Sequence, residues 1–227
     1  MTEPLRLVVF DVDGTLVDSR AHILLAMEEA FSTLNLATPS RDAILRGVGL
    51  SLPELMSKLV PDQPASVHIA LAKQYKAASL AQHSSAGANA KAVFYPGMRA
   101  VLDRLNAHDF TLMATATGMS RRGLERIISQ HNLDGYFQSK QVADTHPSKP
   151  HPSMLFAALS ETGVAPENAV MIGDTSYDMQ MGKSAGTYTI GVTWGNHSHA
   201  DLQEADTLVN TSEDLMASLT SWMENLS

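Results

Sequence analysis

The sequence predicts an α/β protein in which helices cover both faces of a parallel sheet and a small helical segment is inserted near the N-terminus. Apolar runs typical of buried strands alternate with helical stretches from about residue 95 to the end of the chain. The valine-rich run at residues 5–10 is typical of a central strand buried on both faces. Between Leu16 and Val93, by contrast, only helical patterns stand out.

The N-terminal strand is predicted to end at Phe10 or Asp11, and the inserted segment that follows is predicted to be helical. Asp18 or Ser19 can cap its first helix, and the spacing of Ser51 and Glu54 is a capping-box pattern that opens the third. A polar break is predicted at residues 84–89. The helices are predicted at residues 19–34, 40–46, 55–60 and 63–82.

The remainder of the chain is predicted to return to alternating helices and strands. Strands are predicted at residues 110–115, 138–142, 168–174, 188–192 and 207–209. Helices are predicted at residues 98–106, from 120 onward, 152–161, 176–185 and from 212 onward.

Composition limits the classes of partner. The net charge of −8 and the pI near 5.5 argue against non-specific binding to nucleic acid or to anionic membranes. The chain has no cysteine, which excludes disulfides and thiolate metal sites and fits a cytoplasmic protein. We find no apolar run of membrane-spanning length. Because the chain is acidic overall, an anionic substrate would need local positive charge at its binding site. The oligomeric state is not predicted from the sequence.

Asp11 and Asp13 follow the N-terminal strand directly and lie one residue apart. In open α/β sheets this carboxyl edge is where ligands bind. Like charges so close must share protons or a cation, and magnesium commonly bridges carboxylates and a phosphate. A carboxylate can also accept a phosphoryl group. The alternative is that Asp13 only caps the turn that follows it.

Three later segments also place polar groups after strands or in constrained turns. Thr117 and Gly118 precede a helix whose N-terminus could bind a phosphoryl oxygen, while the arginines after them are predicted to be solvated. Lys149 lies between prolines, which restrict the direction of its ammonium group. Asp174 follows a strand and a glycine, whereas Asp178 could equally form a helix-capping box with the threonine before it.

These segments together resemble the motifs of a known family. One segment resembles the first motif of the haloacid dehalogenase-like hydrolases, in their phosphoglycolate phosphatase-like branch. This segment is Phe10-Asp11-Val12-Asp13-Gly14-Thr15-Leu16-Val17-Asp18-Ser19. The third motif resembles Ser148-Lys149-Pro150-His151-Pro152, and the fourth resembles the Gly-Asp-x-x-x-Asp pattern of residues 173–178. The resemblance covers nearly the whole chain, with the motifs in the expected order.

The resemblance implies a magnesium-dependent phosphatase that hydrolyses a small, phosphoglycolate-like phosphate monoester through an aspartyl-phosphate. Asp11 would be the nucleophile and Asp13 the general acid and base. Lys149 would neutralise negative charge, and Thr117 would bind the phosphoryl group, or Thr115 if the strand register is shifted by two. Gly118, where relatives often have Asn, would offer only its backbone. The metal ligands implied are Asp11, Asp13, Asp174 and Asp178, the last through water or hydrogen bonds.

The implied architecture is a Rossmann-like core with a small α-helical cap. Residues 1–18 and 95–227 would form the core, and residues 19–94 the cap. The core strands that carry the motifs would lie side by side. A phosphosugar mutase of the β-phosphoglucomutase type remains an alternative, because the core residues are shared.

Arg46 is the last candidate, in a loop with two glycines between two cap helices. We expect this loop to close over the cleft, and Arg46 to bind a second anionic group of the substrate. The alternative is that Arg46 ends a helix and interacts with the helix dipole.

Overall fold

The computed structural model describes residues 3–85 and 92–226, and these ranges contain the predicted parallel sheet. The six-stranded sheet is ordered β5-β4-β1-β6-β7-β8, and all its neighbouring strands are parallel. The described strands are β1 (Arg6–Phe10), β2 (Val17–Asp18), β3 (Val93–Phe94), β4 (Thr111–Thr117), β5 (Ser139–Val142), β6 (Ala169–Gly173), β7 (Tyr188–Val192) and β8 (Thr207–Val209). The predicted α/β fold class is confirmed.

Helices cover both faces of this sheet. Side chains of β1 alternate between two apolar clusters: Val8 and Phe10 pack on one face, Leu7 and Val9 on the other. This burial on both faces explains the continuous apolar run. The described helices are α1 (Arg20–Thr33), α2 (Arg41–Leu45), α3 (Leu52–Leu59), α4 (Ala65–Ser85), α5 (Met98–Asn106), α6 (Arg121–Gln130), α7 (Ser153–Thr162), α8 (Ser176–Ala185) and α9 (Ser212–Asn225).

Helices α1 to α4 form a separate apolar cluster on the carboxyl side of β1. Its fully buried side chains include Met27, Phe31, Met56 and Leu71, and none of the cluster's residues belongs to the two clusters of the sheet. The predicted division into core and cap stays a proposal, and this separate cluster supports it; below, the cap denotes the segment of helices α1 to α4 and the core the helices and strands of the sheet layers. Among the described residues, no helix combines the length and apolar character needed to cross a membrane.

Several predicted boundaries were wrong, each for a local reason. Strands β2 and β3 were missed because two residues are too few to show a periodic pattern; they pair antiparallel where the chain enters and leaves the cap segment. Strand β4 continues to Thr117, two residues beyond its predicted end. The Ser51 side chain makes no capping bond; its backbone N–H donates to Ser148 Oγ at 2.8 Å. Helix α4 runs through Ser85, and residues 86–89 of the predicted break lie outside the described part.

We predict that Phe31→Ala lowers the free energy of unfolding by about 3–5 kcal/mol, because it opens a cavity among fully buried cap side chains. Urea unfolding followed by circular dichroism measures the change. Phe156→Ala is the matched control: this side chain on α7 is 49% exposed, and its loss should cost only about 1 kcal/mol, because about half of its surface is already in water. A cost for Phe31→Ala no larger than that for Phe156→Ala would contradict the prediction.

Candidate active site

The predicted site residues come from neighbouring strands. Because β5, β4, β1 and β6 are consecutive in the sheet, their carboxyl ends lie side by side. Asp11 directly follows β1, Thr117 ends β4, and Asp174 directly follows β6. Lys149 lies in the irregular segment between β5 and α7. The topology therefore gathers residues that are far apart in sequence at one edge of the sheet.

Lys149 is the centre of the polar cluster. Its ammonium is buried and donates to Asp11 Oδ1 at 2.7 Å and to Asp178 Oδ1 at 2.6 Å. Burial opposes the charged form of the lysine, but the charges of Asp11 and Asp178 outweigh burial and raise its pKa. Lys149 therefore remains an ammonium that ties the end of β1 to the start of α8.

Asp178 has the helix-capping role that the sequence left open, and it also contacts Lys149; its metal role stays a prediction. It forms a capping box with Thr175: Asp178 Oδ2 accepts from Thr175 N at 3.1 Å, and Thr175 Oγ1 accepts from Asp178 N at 3.3 Å. Its other oxygen, Oδ1, accepts from Lys149. Both carboxylate oxygens therefore have protein donors, which fits the implied contact with a metal through water or hydrogen bonds.

Asp174 is fully buried and held from two directions. Its Oδ1 accepts from Thr15 Oγ1 at 3.1 Å, and its Oδ2 accepts from Asn196 N at 2.7 Å and Asn196 Nδ2 at 2.9 Å. Gly14 adopts φ +90°, and a Cβ there would lie 2.2 Å from Asp174 Oδ2. The sequence analysis identified neither Thr15 nor Asn196 as site residues, because their contact with Asp174 depends on the tertiary fold.

Three buried carboxylates form a group that fits a divalent cation. Asp11, Asp174 and Asp178 each offer one oxygen, and these atoms lie within 4.8 Å of one another. Burial and the negative charges of the neighbouring acids raise the pKa of Asp11 well above its usual range. Burial, together with the negative charge of Asp178, raises the pKa of Asp174 to about 7. Asp11 Oδ2 is buried without a hydrogen-bond partner in the described part of the chain. Carboxylate oxygens of this kind suit Mg²⁺.

Asp13 lies outside this group of three carboxylates, although the sequence analysis included it among the metal ligands. It lines, together with Asp11, a cavity of about 640 Å³ that also borders cap helices α1, α3 and α4. Burial raises the pKa of Asp13, so its carboxyl group keeps a proton more readily than an exposed aspartate. The position and the raised pKa suit an acid–base group, and the ligand role stays a prediction.

Thr117 and Gly118 line the same cavity, whereas Thr115 is not among the described residues that do. Thr117 Oγ1 accepts from Met119 N at 3.3 Å. A Cβ on Gly118 would lie 2.7 Å from the carbonyl oxygen of Gly49 and 2.9 Å from that of Leu50. Glycine at residue 118 therefore lets the cap loop approach the core closely, which a larger residue would prevent.

Arg46 is not brought together with the other candidates. It is exposed at the C-terminal end of α2 and is not among the described residues that line the cavity. Its carbonyl oxygen accepts from Tyr177 Oη at 3.1 Å and from His197 Nε2 at 3.0 Å. The geometry matches the alternative interpretation, a residue at a helix end, and the predicted contact with substrate gains no support.

Two cavity residues that the sequence analysis missed are Tyr75 on α4 and Arg126 on α6. Both interact electrostatically with Asp13. Arg126 is one of three arginines on an amphipathic helix, and Tyr75 lies in a helix with many polar residues. No local pattern distinguishes them, because only the packing of the cap against the core turns them toward one cavity.

Residues 8–192 match the family described as haloacid dehalogenase-like hydrolase, and the chain belongs to this family. The "Probable phosphatase IndB" of Dickeya dadantii (strain 3937) is 34% identical over 204 residues, which are 88% of this chain and 86% of that protein. A phosphoglycolate phosphatase of Aquifex aeolicus (strain VF5) is 28% identical over 192 residues, 84% of this chain and 86% of its own. A hydrolase structure from Pseudomonas syringae has a TM-score of 0.82 at 21% identity, over 95% of this chain and 98% of that one.

These comparisons confirm the resemblance on which the sequence analysis relied. The family and the named relatives confirm the predicted enzyme class, a phosphoric monoester hydrolase. The solved structure supports the fold alone.

We predict that Mg²⁺ raises the melting temperature more at about pH 8 than at about pH 5.5. Folded Asp174 keeps its proton up to a pH of about 7, whereas an unfolded aspartate loses it near pH 4. The stability that the protonated carboxyl provides is therefore present at low pH and is lost as the pH rises through about 7. A bound cation would take the place of the Asp174 proton, so Mg²⁺ should stabilise the protein most at a pH where this proton has been lost.

Calorimetry with Mg²⁺ or with EDTA, at both pH values, measures this effect. Asp174→Asn is the comparison variant: its metal-free melting temperature should change less with pH, and Mg²⁺ should stabilise it less. A wild-type shift on adding Mg²⁺ that is the same size at both pH values would contradict the linkage.

Proposed function

We propose that this enzyme is a magnesium-dependent phosphatase that hydrolyses a small, phosphoglycolate-like phosphate monoester through an aspartyl-phosphate on Asp11. The observation that carries the proposal is the buried cluster of Asp11, Lys149, Asp174 and Asp178 beside the cavity that contains Asp13. The phosphoglycolate phosphatases among the relatives support the substrate class. A cytoplasmic location stays a prediction.

In the first step, a carboxylate oxygen of Asp11 attacks phosphorus while the bond to the leaving oxygen breaks. Lys149 occupies Asp11 Oδ1, whereas Oδ2 has no hydrogen-bond partner among the described residues. Asp13, whose pKa is raised by burial, gives its proton to the leaving oxygen. The products of this step are the free alcohol, an ionised Asp13 and a phosphoryl group on Asp11.

In the second step, water attacks the phosphorus of the aspartyl-phosphate. Asp13 is now a carboxylate and removes a proton from this water, while the bond between phosphorus and Asp11 breaks. Inorganic phosphate is released, and both aspartates return to their starting states. Asp13 thus acts once as an acid and once as a base.

Several groups would stabilise the charge of the transferring phosphoryl group. Lys149, the Thr117 hydroxyl and the Gly118 backbone N–H are the candidates from the protein. Mg²⁺ would be held by Asp11 and Asp174, with Asp178 acting through water, and would neutralise charge on phosphoryl oxygens when bound. Electrostatic stabilisation and positioning of this kind supply most of the catalysis in phosphoryl transfer.

We predict that Asp11→Asn abolishes turnover of p-nitrophenyl phosphate in the presence of Mg²⁺, because the amide cannot attack phosphorus. Release of p-nitrophenolate measures the rate, and trapping of a phosphoenzyme by acid quench tests the covalent step directly. Asp109→Asn, an exposed acid in the loop before β4, is the matched control and should leave the rate unchanged. Full activity of Asp11→Asn, or of wild type in EDTA, would refute the mechanism.

We predict that Asp13→Asn slows esters with poor leaving groups far more than p-nitrophenyl phosphate. An alkoxide leaving group needs a proton, and general acid catalysis is worth about 10²–10⁴-fold, whereas nitrophenolate leaves without one. Both substrates should also lose some rate because Asp13 activates water. Measurement of kcat on 2-phosphoglycolate and p-nitrophenyl phosphate gives the ratio, and equal losses would argue against the acid role.

The physiological ester can be sought by a hydrolysis screen with Mg²⁺ over 2-phosphoglycolate, hexose phosphates, nucleotides and pyrophosphate. Products of the hexose phosphates should also be analysed for isomerised sugar phosphate. Isomerisation without release of phosphate would favour the mutase alternative over the phosphatase.

A further inference from the structure

Two side chains line the same cavity as Asp13: Arg126 on α6 and Tyr75 on α4. Each interacts electrostatically with Asp13 and with the other. In the proposed reaction Asp13 gives its proton to the leaving oxygen. The part of the substrate that leaves with this oxygen therefore lies in the cavity that Asp13, Arg126 and Tyr75 line together.

Arg126 is half-buried, and its Nε is buried without a hydrogen-bond partner among the described residues. A buried N–H of a charged group is rarely left unpaired unless a ligand or water completes it. Burial, and then the nearby positive charge of Arg122, lower the pKa of Arg126 and outweigh the opposite effect of Asp13, so the guanidinium has too little negative charge nearby to offset its burial. An anion in the cavity would supply that charge.

We propose that Arg126, assisted by the Tyr75 hydroxyl, binds an anionic group on the leaving part of the phosphate ester and so selects the substrate. The inference rests on the proposed phosphatase function. Guanidinium groups bind carboxylates and phosphates through paired hydrogen bonds, and a phenol hydroxyl can donate a further one. A carboxylate and a second phosphate share this chemistry, and the experiment distinguishes them.

Other cations at the cavity are less suited to this role. Lys76 and Arg122 also line it, but both side chains are exposed, where water and salt weaken their attraction for an anion. Apolar side chains such as Ile23, Leu55 and Ile127 line the same cavity. Near such walls a charged pair is less screened, so Arg126 should discriminate strongly against an ester that lacks the anionic group.

The test compares esters that differ only in the second group. Ethyl phosphate is neutral beyond its phosphoryl group, 2-phosphoglycolate adds a carboxylate, and ethylene glycol bisphosphate adds a phosphate. The values of kcat/KM with Mg²⁺ are measured for wild type, Arg126→Gln, Arg126→Lys and Tyr75→Phe. Arg104→Gln, an exposed arginine on α5, controls for the change in net charge. Melting temperatures show whether each variant is folded.

We expect wild type to prefer at least one anionic ester over ethyl phosphate. Arg126→Gln should lower kcat/KM for that ester by about 10- to 100-fold, as expected for loss of a charge-assisted hydrogen bond. Because Arg126 also interacts with Asp13, some loss can be common to ethyl phosphate and p-nitrophenyl phosphate, and the 10- to 100-fold effect is therefore read as the fall in the ratio of kcat/KM for the anionic ester to that for ethyl phosphate. Arg126→Lys should retain part of the preference and Tyr75→Phe should lose a smaller part. The ester that loses the most identifies carboxylate or phosphate as the group bound.

Equal loss on all esters would overturn the inference, because it would place the effect of Arg126 on Asp13 or on folding. No loss on any ester, or a wild type without preference for anionic esters, would also overturn it. In each of these cases turnover of p-nitrophenyl phosphate by wild type leaves the proposed phosphatase activity standing, although a wild type without preference for anionic esters would remove the phosphoglycolate-like substrate class. A wild type that hydrolyses no phosphate ester with Mg²⁺ would refute the proposed function and the inference together.

Discussion

The buried ammonium of Lys149 is the constraint on which the site depends. It bonds to Asp11 and Asp178 with almost no exposure to water. Removing one partner of a buried ion pair leaves an uncompensated charge that costs about 3–5 kcal/mol, so these groups must stay together. The lysine thereby fixes the segment after β1 against the start of α8. It also leaves one ammonium against three clustered carboxylates, so the site must hold either protons, as the raised pKa of Asp174 indicates, or a further cation.

The sheet makes this arrangement possible. Strands β1 and β6 are buried on both faces, so the backbone that carries Asp11 and Asp174 is held by packed apolar side chains. Glycines then let the acids pack closely: a Cβ at Gly14 or Gly195 would lie 2.2 Å from Asp174 Oδ2. Rigid strands and small residues together keep like charges at distances that they would not adopt in water.

The cap contributes to the cavity without contributing to the acid cluster. Its own apolar cluster is separate, and it meets the core through close contacts such as the carbonyl oxygen of Gly49 over Gly118. Phosphoryl chemistry and choice of ester can therefore rest on different elements. Acids at the sheet edge would act on phosphorus, while Tyr75 on cap helix α4 and Arg126 on core helix α6 would contact the leaving part of the ester. Variation in the cap could change the substrate without disturbing the buried charges.

The sequence by itself determined the α/β class, most helix and strand positions and the acids at strand ends. Local patterns carry this information: a buried strand is a continuous apolar run, and a carboxylate after it has few structural explanations. The tertiary structure alone decided the partners Thr15 and Asn196 of Asp174, the position of Arg46 outside the cavity and the positions of Tyr75 and Arg126 within it. These contacts and positions depend on packing between segments distant in sequence. The spacing of apolar residues along a cap helix does not show which of its faces contacts the core.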